Sequence, residues 1–152
     1  MKYKLFLVLV ILLFGFFLRI WQIEKSPYSV GFDEAGLGYN AYSLMLTGKD
    51  EHGIKFPLSL KSFGDYKPAM YSYLTIPFVR IFGLNNLSLR MVSALAGVVM
   101  ALMVYLIMGF FVKNEALKLF ALVLALMQPW SLHFSRVALE TNLSASFYSL
   151  GI

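Results

Sequence analysis

Two short motifs in this chain combine residue types that can do acid–base and anion chemistry. The first is the acidic pair Asp33-Glu34, within Phe32-Asp33-Glu34-Ala35. The second is the lysine of Gly64-Asp65-Tyr66-Lys67-Pro68-Ala69-Met70-Tyr71. A carboxylate can take the proton of a hydroxyl that attacks another centre. A lysine ammonium can hold a phosphate as a point charge. Both motifs follow the first long apolar run of the chain, so together they suggest chemistry on a lipid-linked phosphate at a membrane surface.

Each motif also has a plain structural explanation. Asp33 precedes a helix-like stretch, Glu34 to Leu46, where it would serve as an N-cap with Glu34 favourable in the first turn. Gly48 is placed to stop that helix. Lys67 stands before Pro68, which suits the first position of a following helix, and a solvated or headgroup-contacting lysine is the simple alternative to a phosphate ligand. Arg136 and Glu140 stand four apart and could pair on a helix surface. Arg90, at the start of an apolar run, reads as an anchor that snorkels to the interface. His52 lies near Asp50 and Glu51 but has no metal-ligand spacing with His133. No cofactor is implied, and a divalent ion, although compatible with these residues, is not indicated.

These motifs need elements to position them, and composition sets the class. The 152 residues are 59% hydrophobic and 14% charged, against about 25% charged in soluble domains, with a mean hydropathy of +0.71. That is too much apolar material for one soluble domain to cover. The expected fold is all-α, a multispanning helical membrane protein. Leu5 to Ile23 carries one charge, Arg19, and approaches the roughly 20 residues needed to cross hydrocarbon. Arg19-Ile20-Trp21-Gln22 reads as its interfacial anchor. Spans are expected at about 5–23, 89–112 and 117–134, the last with Pro129 near its far end, and a fourth begins at about 143. The segment of about 24–88 forms the first loop, in which Tyr71 to Phe82, interrupted by Pro77 and Arg80, is expected to lie in the interface. The chain stops within an apolar pattern and reads as an amino-terminal fragment, one transmembrane unit over 1–152.

Topology follows from the basic flanks. Lys2, Lys4, Lys113 and Lys118 mark the cytoplasmic side, which leaves the 24–88 loop and Ser135-Arg136 outside. The first run is too long for a cleaved h-region and lacks a small-residue cleavage site, so it is read as a retained anchor. The net charge of +5 is accounted for by the cytoplasmic ends and points to no nucleic acid. Without cysteine, the loop has no disulfide framework.

The order of motifs resembles the amino-terminal part of integral-membrane glycosyltransferases of the GT-C fold, in the protein O-mannosyltransferase and aminoarabinose-transferase group. It is carried by Asp33-Glu34-Ala35, Gly48, Gly53, Phe56-Pro57, Lys67-Pro68, Pro77, Phe82-Gly83, Leu89-Arg90-Met91-Val92-Ser93-Ala94-Leu95, Gln128-Pro129-Trp130 and Phe134-Ser135-Arg136. It extends from about Phe17 to Asn142. Relatives usually have two prolines after the lysine, whereas Ala69 follows Pro68 here.

The resemblance implies transfer of a sugar from a polyprenyl-phosphate carrier to a hydroxyl of a lipid, glycan or protein, outside the membrane and with inversion. It implies that Asp33 is the general base of a catalytic pair with Glu34, and that Lys67 contacts the donor phosphate. Arg136 is a second candidate cation, and Glu140 a further candidate substrate contact. Membrane lipids are the remaining expected partners. Two other readings fit the residues: a non-catalytic module that recognises lipid-linked sugars, and a structural membrane anchor.

Overall fold

A computed structural model describes residues 2–62 and 64–151. Its elements, in order, are α1 (Lys2–Ile20), α2 (Phe32–Thr47), β1 (Ser59–Ser62), β2 (Asp65–Pro68), α3 (Met70–Phe82), α4 (Asn86–Phe111), α5 (Glu115–Met127), α6 (Pro129–Phe134) and α7 (Glu140–Leu150). The fold is helical apart from one antiparallel hairpin, in which Leu60 faces Lys67 across the β1–β2 register. Two helices, over Tyr3–Ile20 and Asn86–Phe111, are long and apolar enough to cross a membrane.

The longest helix, α4, is the axis of the structure: α1, α3, α5 and α7 all pack on it. Helix α1 runs antiparallel to α4. At one end of the pair, the Arg90 guanidinium reaches the Ile23 carbonyl at 2.7 Å. At the other, Lys4 meets Glu115 at 3.2 Å, and Glu115 also holds Lys118 at 3.1 Å and accepts the Tyr105 hydroxyl at 2.6 Å.

Two apolar clusters follow from this arrangement. Val8, Ala101, Leu122 and Leu126 join α1, α4 and α5 midway along the bundle. Leu37, Leu60, Ala69, Tyr71, Leu89, Val92, Ala96, Ala138 and Leu143 form a second core where α2, the hairpin and α3 fold onto one end of α4 and α7. Buried hydroxyls and amides there are satisfied across elements, as burial requires. Tyr71 donates to the Leu89 carbonyl at 2.9 Å, Ser72 to that of Leu37 at 2.9 Å, and Asn142 to that of Ser93 at 2.9 Å.

Local signals explain most boundaries. Gly48 ends α2 in the left-handed conformation, φ 67°, which glycine adopts without a Cβ penalty. Asn85 caps α4 by accepting the Ser88 amide at 2.9 Å. The expected third run is divided: α5 stops at Met127, and Pro129 begins α6, with Gln128 capping it. A proline cannot donate to the preceding turn, so it starts a new helix here instead of kinking one.

Two expectations are corrected. The N-cap of α2 is Gly31, with Asp33 already inside the first turn. Lys67-Pro68 lies in β2 and does not open a helix, because α3 begins only at Met70. Pro68 stands at the end of the two-stranded hairpin, where its missing N–H breaks no ladder bond.

Candidate active site

The first turn of α2 sends its two carboxylates to different faces, since adjacent helical residues stand about 100° apart around the axis. Asp33 points outward, its side chain 57% exposed, and forms an ion pair with Lys67 of β2. The lysine is the more enclosed partner, at 13%. Lys67 belongs to β2, so the ammonium reaches Asp33 from the hairpin. The structure thus brings together the two residues that carried the chemical reading of the sequence.

Glu34 points inward, 3% exposed. Its Oε1 accepts from Arg90 Nε at 3.0 Å and from the Ala138 amide at 2.7 Å. Its Oε2 accepts from an Arg90 terminal nitrogen at 3.1 Å and from the Gly31 amide at 3.2 Å. Burial alone would raise the carboxyl pKa, but the bonds from Arg90, Ala138 and Gly31 outweigh it and hold the value below the ordinary one. The group is therefore a fixed anion. With both oxygens occupied, it has no lone pair directed at solvent for a substrate proton.

Arg90 is not a snorkelling anchor. It is completely buried, and besides Glu34 it donates to the carbonyls of Ile23 at 2.7 Å, Pro27 at 3.0 Å and Ser29 at 3.1 Å. Sequence reasoning missed this role because the partners of Arg90 lie 56 to 67 positions away. The one available signal was an arginine near the start of a spanning helix in a chain that also offers an acidic pair in the preceding loop. Arg19 likewise turns inward and is fully buried. It bonds to the Gly15 carbonyl at 3.0 Å and the Ser131 hydroxyl at 3.0 Å.

Arg136 also reaches backbone. One terminal nitrogen donates to Leu18 O at 2.8 Å, the other to Trp21 O at 2.8 Å and Ser26 O at 2.9 Å. Among the described residues it makes no ion pair with Glu140, which is the first residue of α7 and keeps one carboxylate oxygen buried without a hydrogen-bond partner. The 136–140 connection itself lies against the inner side of α2, through the bond from Ala138 to Glu34. His52 bonds through its ring to the Lys61 carbonyl at 3.1 Å. No group of three metal-ligating side chains occurs among the described residues.

The fold and this charged end define a helical membrane protein with an exposed carboxylate–ammonium pair beside its spanning helices. The chain matches the family of dolichyl-phosphate-mannose-protein mannosyltransferases over residues 9–151, nearly its whole length, and belongs to that family. The family is one of membrane glycosyltransferases, in accord with the resemblance carried by Asp33-Glu34 and Lys67-Pro68. No curated protein and no solved structure matches the chain.

Proposed function

We infer that this protein takes part in moving a sugar, of the mannose class that the family name indicates, from a polyprenyl-phosphate carrier to an acceptor hydroxyl on the extracytoplasmic side of the membrane. The observation that carries this reading is the Asp33–Lys67 pair at the first turn of a helix outside the apolar bundle. In the reaction, the acceptor oxygen attacks the anomeric carbon and its proton passes to Asp33. The bond from that carbon to the phosphate oxygen breaks, and the carrier leaves as polyprenyl phosphate. A positioned carboxylate is worth about 10²–10⁴-fold in such a step. A cation placed in advance at the phosphate stabilises the charge that develops on the leaving group.

At rest, Lys67 is paired with Asp33. The donor phosphate competes for the ammonium, so its arrival both fixes the leaving group and frees the carboxylate. Lys67 is the cation for this role because its partner is an exposed side chain. The terminal nitrogens of Arg136 are already committed to backbone carbonyls. Glu34 is the fixed neighbour of the base, and Glu140 is left with a structural position at the start of α7. The meeting of Lys4 and Lys118 at Glu115 supports a cytoplasmic assignment for that end and an outer one for Asp33. A transmembrane unit over 1–152 belongs to the same reading.

The test is donor dependence. Membranes containing the protein as its gene encodes it are assayed for transfer from a sugar-labelled polyprenyl-phosphate mannose. Lys67→Ala should raise the donor KM at least about tenfold, the scale of one charge-assisted contact. An unchanged donor KM would remove Lys67 from the phosphate site.

A further inference from the structure

The link between α1 and α2, residues 21–31, contains no helix or strand, yet it determines where Asp33 sits. Its carbonyls cannot be left bare against the bundle. They are not satisfied by each other alone but by two arginines from distant segments. Arg90 of α4 takes the carbonyls of Ile23, Pro27 and Ser29. Arg136, just after α6, takes those of Trp21 and Ser26, and with them the carbonyl of Leu18 in the last turn of α1. The two sets interleave along the chain, so both arginines hold the same stretch of backbone. Arg90 then continues into the bidentate pair with Glu34, the residue next to Asp33, and Glu34 accepts the amides of Gly31 and Ala138.

We propose that Arg90 and Arg136 are positioning residues that mould the α1–α2 link and so hold Asp33 where the acceptor hydroxyl arrives. This deepens the functional reading above and rests on it for the identity of Asp33 as the base. Neither arginine touches substrate in this account. Only the planar fork of a guanidinium can serve several carbonyls and a carboxylate at once, and a lysine ammonium retains the charge without that geometry. A misplacement of about 1 Å in a reacting group is enough to cost a hundredfold in rate.

The test uses Arg90→Lys and Arg136→Lys in the natural protein in its membrane. Each should leave the donor KM within about threefold of the parent, because Lys67 still receives the phosphate, while kcat falls at least about tenfold. For Arg136→Lys, a raised donor KM with unchanged kcat would instead make Arg136 a phosphate contact and overturn the proposal, as would unaltered kinetics in both variants.

A second measurement does not depend on activity. Residues 1–152 contain no cysteine, and in a background freed of any other cysteine, spin labels are placed at Tyr28→Cys and Leu58→Cys, positions 94% and 91% exposed. The distance distribution between link and hairpin should broaden in Arg136→Lys, and an unchanged distribution rejects the positioning role. If both lysine variants fail to accumulate as folded protein, the arginines are structural and the proposal falls. Broadening in a protein that stays active with Asp33→Asn would sink the assignment of the base while leaving the moulding of the link intact.

Discussion

At the residue scale, the two members of one acidic pair do different work because of where a helical turn sends them. Asp33 is exposed and held by one cation, Lys67 of β2. Glu34 is buried and held by four donors from Arg90, Ala138 and Gly31. Removing one partner of a buried pair leaves the other charge uncompensated, at a cost of about 3–5 kcal/mol. Glu34→Gln should therefore lower stability by that order, read as a lowered thermal midpoint in detergent. The same carboxylate gives a pH signature. Its folded-state pKa lies below the ordinary 4.5, so its contribution is complete above that value and is lost as pH falls through the depressed one. The midpoint of the parent should drop on acidification below about pH 4.5 by more than that of Glu34→Gln. Equal pH dependence in the two proteins would show that Glu34 is not held as an anion. The acidic pair was legible in the sequence as two carboxylates, but the division between them was not. It depends on Arg90, whose contact with Glu34 spans 56 residues, a distance no local pattern encodes.

At the element scale, helix extents follow from local signals, although the N-cap of α2 is Gly31 and not Asp33, and what depends on contact between distant segments does not. Apolar run length and the glycine stop placed α1, α2 and α4, because helix period, caps and span length are properties of neighbouring residues. The hairpin escaped notice: Lys67-Pro68 looks like a helix start until β1 pairs with it. Arg19 was taken for an interfacial anchor because its position near the end of an apolar run fits one. The structure instead buries it where Gly97 of α4 leaves room. A Cβ at Gly97 would come within 2.6 Å of the Ser135 Cβ and 2.8 Å of the Arg19 Nε. Gly97→Ala should thus force α6 or Arg19 aside, at about 1–3 kcal/mol. The check is a thermal midpoint in detergent below that of the parent, alongside Gly109→Ala, where a Cβ meets nothing within 4 Å. Equal midpoints for the two variants would mean that α4 and α6 are less closely packed than described.

At the scale of the whole molecule, the spanning helices, the link, the hairpin and the α6–α7 turn converge at one end of the bundle. There Arg90, Arg136 and the buried Glu34 tie α2, α4, the link and the α6–α7 turn together, and the hairpin joins α2 through the Asp33–Lys67 pair. Membership of the mannosyltransferase family names a chemistry, and the functional reading proposed above places it at the Asp33–Lys67 pair. The central claim is that Asp33 is the general base of sugar transfer. It is tested most directly by measuring transfer from a labelled polyprenyl-phosphate mannose by the natural protein and by Asp33→Asn, which keeps the shape of the side chain and removes its basicity. The account predicts that the variant accumulates in the membrane, as expected for an exposed residue, and that its kcat falls by about 10²–10⁴-fold. A variant that transfers sugar at the parent rate would contradict it.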